Sequence, residues 1–335
     1  PWGKTGWVWE DSDFRQWIDQ RINETAILGQ QKQLQPDISL QITIPNEFQK
    51  ICPINIGYTA GIETSKVSPK WLQCGNEMET PVEVVWENTP RAEPEVIQGL
   101  DLDYDFNFLM VTQLSPRKNF VDAVKWWVEE FIDQEVGLVL KSNLKCNSQM
   151  DFDSLHKTIK NILSTYSDRK CKVYILHGDL SAGQMTGLYT NPKIKAIVNI
   201  AHGEGFGLPL FEAAREGLPV VTIGWSGQLD FLTHEGKDLF QRVDFSLNNV
   251  QPQAVWEDVI QPDALWAYAD QGSYKMTLRK TYKTWHKAKE SAEKLKIIIQ
   301  DKFSDQALFK KFIDCIHQDN SDWLLEIQDI IEEFE

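Results

Sequence analysis

The chain has 335 residues, 42% of them hydrophobic and 11% aromatic, with a formal net charge of −15. That size supports two domains, each with its own core. The acidic balance argues against general nucleic-acid binding, which needs Lys and Arg to neutralise phosphates.

Cys52, Cys74, Cys146, Cys171 and Cys315 are odd in number and widely spaced, with no C-x-x-C pair. Neither a disulfide framework nor a zinc site is indicated. No apolar run nears the ~18 residues of a membrane span, and no signal peptide is visible. The expectation is a cytoplasmic chain with reduced thiols; peripheral membrane contact stays open. The first residue is Pro1 rather than Met, and residues are expected to precede it.

In chain order, a glycine-bearing turn at Gly3 and Gly6 precedes a helical stretch over 11–31. Alternation predicts strands at 38–44 and 54–58. Tyr58-Thr59-Ala60-Gly61-Ile62-Glu63-Thr64 follows, then Pro69-Lys70-Trp71. The step from 76–79 to 81–85 is abrupt enough to expect missing residues there. Residues 90–102, rich in Pro, Glu and Gly, read as a linker. Beyond it, strands and helices alternate. Strands are predicted at 106–112, 136–141, 172–177, 196–200, 218–223 and 239–243. Helices are predicted at 120–132, 151–165, 181–189 and 210–216. This alternation implies a parallel sheet covered on both faces. A loop and mainly helix come next, at 273–299, 304–316 and 321–334. The Lys-rich 273–299 stretch reads as a solvated face.

The most informative segment is 195–232. A β-branched run ends at Ile200. The glycine loop Gly203-Glu204-Gly205-Phe206-Gly207 follows, and Pro209 stands where a helix begins. Gly217 is placed to stop that helix. A strand, glycine loop, helix and strand in this order form a βαβ unit, and the loop presents backbone N–H groups suited to a phosphate. A dinucleotide fingerprint is the competing reading. It wants a third glycine three residues after the second and an acid about 20 residues on, and neither is clean here. Two carboxylates, Glu204 and Glu212, frame the loop. So near a phosphate they need another task, and accepting from sugar hydroxyls is one.

Glu204 and Glu212, seven residues apart within EGFGLPLFEAAREGLPVV, resemble the E-x7-E signature of retaining, nucleotide-sugar-dependent glycosyltransferases of the GT-B fold, family 4 type. The resemblance implies an α/β architecture of two Rossmann-like domains facing across a cleft. Residues 1–90 would form an incomplete N-terminal, acceptor-side domain, and 91–300 the nucleotide-sugar domain. Residues 301–335 would be helices packing back on the first domain. By the same resemblance Glu212 accepts from the ribose, and Glu204 lies near the donor sugar. Gly205, Phe206, Gly207 and Leu208 line the donor through their backbone, with Gly178 in a turn beside the base. Gly3, Gly6 and Glu63 fall on the acceptor side.

The family loop G-R-x-x-x-x-K-G grips the donor diphosphate. Lys118 matches its Lys, but Gln113 stands in place of its Arg, with Arg117 as the available substitute. On residues alone, Gly3 and Gly6 read as turn glycines, Glu63 as a surface acid and Arg117-Lys118 as an exposed basic pair. Trp225-Ser226-Gly227-Gln228 resembles a family glycine turn near the donor; on residues alone Ser226 reads as a helix N-cap.

The reaction implied is transfer of a hexosyl group from a nucleoside diphosphate sugar to an acceptor hydroxyl, with retention. No cofactor is expected beyond that co-substrate. No Asp-x-Asp or His cluster marks a metal. The acceptor stays open among glycan, lipid, protein and small molecule. A GT-B-fold epimerase or phosphorylase, or a sugar-nucleotide-binding protein without turnover, would share the phosphate loops.

Overall fold

In a computed structural model, residues 12–31, 36–59, 61–76, 80–84 and 91–317 are described. The expected turn at Gly3 and Gly6, the chain gap near Glu79 and the helix at 321–334 lie outside them.

Helix α1 (Asp13–Gln30) is capped by Ser12, whose Oγ accepts from the Arg15 N–H. Strands β1 (Ile38–Ile42) and β2 (Ile54–Thr59), helix α2 (Pro69–Asn76) and strand β3 (Thr80–Val84) follow. The three strands make a small parallel sheet in the order β1-β2-β3.

The larger unit holds β4 (Asn107–Gln113), α3 (Phe120–Phe131), β5 (Gly137–Asn143), α4 (Gln149–Ser164), β6 (Lys172–Leu176), α5 (Ala182–Tyr189), β7 (Ile194–Asn199), α6 (Leu208–Arg215) and β8 (Val220–Ile223). After a short α7 (Leu229–Leu232), a two-stranded ribbon of β9 (Thr233–His234) and β10 (Lys237–Asp238) leads to β11 (Gln241–Val243). Six of these strands form one all-parallel sheet in the order β11-β8-β7-β4-β5-β6. The chain starts in the middle at β4, runs outward through β5 and β6, then returns to β7 on the other flank. The order therefore reverses between β4 and β7. Such a switch point opens a ligand crevice at the C-terminal strand ends.

Alternation along the strands separates two cores. Phe108 and Met110 face α3, α4 and a helix at Gln271–Lys283, whereas Leu109 faces α5, α6 and a helix at Trp285–Lys302. Strands buried on both faces read as continuous apolar runs, which is why the sequence predicted them to within about two residues.

Two regions differ from the sequence-based expectation. Residues 245–269 contain an antiparallel hairpin, β12 (Phe245–Asn249) with β13 (Leu265–Ala269), where loop and helix were expected. Four of the five β12 residues are exposed, so its apolar pattern is weak. The expected single helix over 273–299 is two, α8 (Gln271–Lys283) and α9 (Trp285–Lys302), broken at Thr284 with φ −121° and ψ 36°. One amphipathic period runs through both, but α8 buries Tyr274 and Leu278 on one face of the sheet and α9 buries Leu295 and Ile299 on the other. The Trp285 indole donates to the Lys195 carbonyl at 2.8 Å and anchors the break.

Helix α10 (Asp305–His317) returns to the small sheet, with Phe312 edge-on against Tyr58. The small unit is joined to the hairpin by an apolar cluster in which Trp71 and Trp266 are buried. Residues 91–102 have no regular structure and lie along α5. The Glu95 N–H donates to the Gly183 carbonyl, and Arg91 pairs with Glu216 at 2.8 Å.

Candidate functional site

The switch-point crevice is built from two loops, residues 114–119 after β4 and 200–207 after β7. Both continue buried strands, so their mouths are held at fixed spacing. The His202 N–H donates to the Arg117 carbonyl at 2.8 Å, and an Arg117 guanidinium N–H donates to the Gly203 carbonyl at 2.8 Å. Within this frame Lys118 and Glu204 meet: the ammonium lies 2.6 Å from both carboxylate oxygens. The Arg117 guanidinium adds a contact at 3.2 Å, and the Asn199 amide donates at 2.9 Å. Burial opposes ionisation of Glu204, but the charges of Lys118 and Arg117 and the bonds from Lys118 and Asn199 outweigh it. Its carboxyl is held below the usual carboxylate range.

Arg117 also pairs with Glu63 at 3.3 Å, so Glu63 is not an isolated surface acid and Arg117-Lys118 is not an exposed basic pair. Gly61 and Glu63 lie directly over the glycine loop. A Cβ on Gly203 would fall 2.1 Å from the Glu63 carbonyl oxygen. The acceptor-side candidate Glu63 is thereby brought to the same point as Glu204, Arg117 and Lys118.

Ser226 is not a helix N-cap. Its φ is 79°, its hydroxyl donates to the Glu204 carbonyl at 2.7 Å and accepts from the Glu204 N–H at 3.0 Å. It holds the glycine loop from the far side, with Gly227 too close to Gly205 for any side chain.

Helix α6 begins at Leu208, one residue before Pro209, after Gly207 in the left-handed region at φ 89°. Gly217, at φ 75°, follows its C-terminus as expected. The Phe206 and Leu208 side chains turn into the core, Phe206 against Phe211 and Phe231. Their backbone faces the loop, and the N–H groups of Gly205, Phe206 and Gly207 make no hydrogen bond among the described residues. These groups, with the dipole of α6, form an anion-attracting mouth. Glu212 sits one turn in, where its carboxylate accepts from the Tyr189 hydroxyl at 2.8 Å. Burial, then the Glu212 charge, raises that phenol well above its ordinary value.

A cleft of about 440 Å³ opens beside this mouth, lined by Gln113, Arg117, Lys118, Lys141, Asp179 and Pro209 among others. Gln113 is exposed at its rim. Gly178, at φ 97°, forms the turn on the far wall. Two residues were not singled out from the sequence. Lys141, at the C-terminal end of β5, lines the cleft and donates to the Gly178 carbonyl at 2.7 Å. Asp151 accepts from the N–H groups of Leu144, Lys145 and Cys146 and contacts His177 at 3.1 Å. Burial opposes its ionisation, yet those bonds hold its carboxyl far below the usual range. It shapes the loop that follows the cleft residue Asn143 at the end of β5. A lysine inside an apolar strand was the available signal for Lys141; Asp151 looked like an ordinary first-turn acid.

Among the described residues, no group of three or more His, Cys, Asp or Glu side chains could hold a metal ion, and no helix is long and apolar enough to cross a membrane.

No protein-family model matches the chain, and no curated protein is similar to it. Solved structures do match. HepE of Anabaena, in complex with UDP and glucose, aligns with a TM-score of 0.52 at 13% identity, over 80% of this chain and 64% of HepE. TarM of S. aureus, as a G117R mutant in complex with fondaparinux, α-GlcNAc-glycerol and UDP, aligns at 0.45 with 12% identity, over 79% of this chain and 51% of TarM. The chain thus spans between about half and two thirds of the length of these structures. With its parallel sheet, switch-point crevice and returning C-terminal helix, it has the α/β GT-B fold that it shares with HepE.

Proposed function

We propose that this chain is a glycosyltransferase that moves a hexosyl group from a nucleoside diphosphate sugar to an acceptor hydroxyl, with retention at the anomeric carbon. The observation that carries this reading is the Lys118–Glu204 pair, set at the switch point beside the open amides of the glycine loop. HepE, which shares the fold, holds UDP and glucose, and that supports a donor of this class.

The donor's diphosphate lies against the N–H groups of Phe206, Gly207 and Leu208 and the Lys118 ammonium. Glu212, oriented by Tyr189, accepts from the ribose. Glu204 accepts from the donor sugar hydroxyls. The bond from the anomeric carbon to the diphosphate breaks, the bond to the acceptor oxygen forms on the same face, and the acceptor's proton passes to the departing diphosphate oxygen. Fixed dipoles and a buried cation stabilise the developing charge on the leaving group without reorganisation. Glu63 reaches the crevice from the small sheet and faces the acceptor. The reaction needs no metal ion.

A thermal-shift screen of UDP-, ADP- and GDP-sugars tests the reading. A donor at about 100 times its dissociation constant adds roughly 2.7 kcal/mol of stability, and Glu212→Ala removes that shift. An undiminished shift in the variant refutes the assigned role. Incubation with radiolabelled donor in EDTA then separates transfer or slow hydrolysis from isomerisation and from binding without turnover. Strict dependence on added manganese refutes the metal-independent reading.

A further inference from the structure

We propose that Lys141 is the cation that neutralises the donor diphosphate in this chain, in place of the charge that Gln113 does not bring; this rests on the donor site proposed above. The charges of the cleft carry the inference. Arg117 and Lys118 are already balanced by Glu63 and Glu204, at distances of 3.3 Å and 2.6 Å. Lys118 can still touch an incoming diphosphate, but these two cations and two carboxylates bring it no net positive charge. Gln113 contributes none.

Lys141 differs from both. Its side chain lines the same cleft, its ammonium donates to a neutral carbonyl of Gly178, and it forms no ion pair among the described residues. The carboxylate that acts on it, Asp179, is exposed and bound to Asn147. Burying an ammonium without a paired charge is unfavourable; here burial outweighs the pull of Asp179 and lowers the affinity of Lys141 for its proton. An anion in the cleft relieves that cost. The position is also suitable: Lys141 pairs in register with Val111 on β4 and Leu176 on β6. It therefore stands between the strand carrying the Lys118 loop and the strand carrying the Gly178 turn.

Calorimetric titration of the full chain with UDP, ADP and GDP, and with the matching nucleosides, tests this. The variants are Lys141→Met and Lys141→Arg, each checked for an unchanged melting temperature. Loss of a charge-assisted bond weakens the preferred diphosphate by roughly 10- to 100-fold in Lys141→Met, with nucleoside binding unchanged and Lys141→Arg close to wild type. If Lys141→Met binds the diphosphate as wild type does, the inference falls while the donor site stands. If the nucleoside weakens as much as the diphosphate, Lys141 positions the Gly178 turn instead, and the inference also falls. If the wild-type chain binds none of the three diphosphates, the donor-site reading itself is wrong.

Discussion

Lys118 and Glu204 stand 86 residues apart in the chain, yet the ammonium of one lies 2.6 Å from both carboxylate oxygens of the other. Their side chains are only 13% and 6% exposed, so solvent screens the pair weakly. The pair ties the β4 loop to the β7 loop across the switch point.

Removing the two partners has unequal consequences. Glu204→Ala leaves the buried Lys118 without its carboxylate, while Arg117 keeps Glu63, and costs about 3–5 kcal/mol. Lys118→Met leaves Glu204 with Arg117 and Asn199 and costs less. Urea unfolding midpoints of both variants check the ordering; equal losses contradict it.

Stability at low pH follows from the carboxylates held below their ordinary values. Asp151 binds its proton more weakly when folded than when unfolded. Its contribution is therefore fully present above the unfolded value of about 3.9. It fades as pH falls through the lower folded value. Asp151→Asn should destabilise by a constant amount between pH 8 and about 5, and the gap to wild type should narrow below about pH 4. Denaturant titrations across that range measure it. A gap that widens with acid contradicts the assignment.

The glycine loop tolerates no side chain where two backbones meet. Gly203→Ala places a Cβ 2.1 Å from the Glu63 carbonyl oxygen, and Gly227→Ala places one 1.9 Å from that of Gly205. Each should cost about 1–3 kcal/mol as overpacking and displace the crevice amides. Thermal melts and donor-induced shifts of the two variants test this. Wild-type behaviour in either would mean the two loops approach less closely.

In the donor site proposed above, Tyr189 acts through Glu212. Tyr189→Phe removes the 2.8 Å bond that aims the carboxylate and should weaken nucleotide-sugar binding roughly tenfold. Uridine should weaken along with UDP, since both carry the ribose. Weakening confined to the diphosphate would show that Glu212 serves another part of the donor.

The sequence by itself determined the parallel sheet, the glycine loop and its helix, because strands buried on both faces and a Gly-x-Gly-x-Gly turn leave local signals at short spacing. Gly207 and Gly217 could be read from the strand–loop–helix–strand order alone. Only the tertiary structure decided that Arg117 and Lys118 are matched by Glu63 and Glu204, that Ser226 clasps the glycine loop, and that Lys141 remains unpaired in the cleft among the described residues. It also decided that one amphipathic period is two helices on opposite faces of the sheet. Charge pairing and the choice of face depend on chain segments dozens of residues apart. Neither leaves any trace in the periodicity of a single segment.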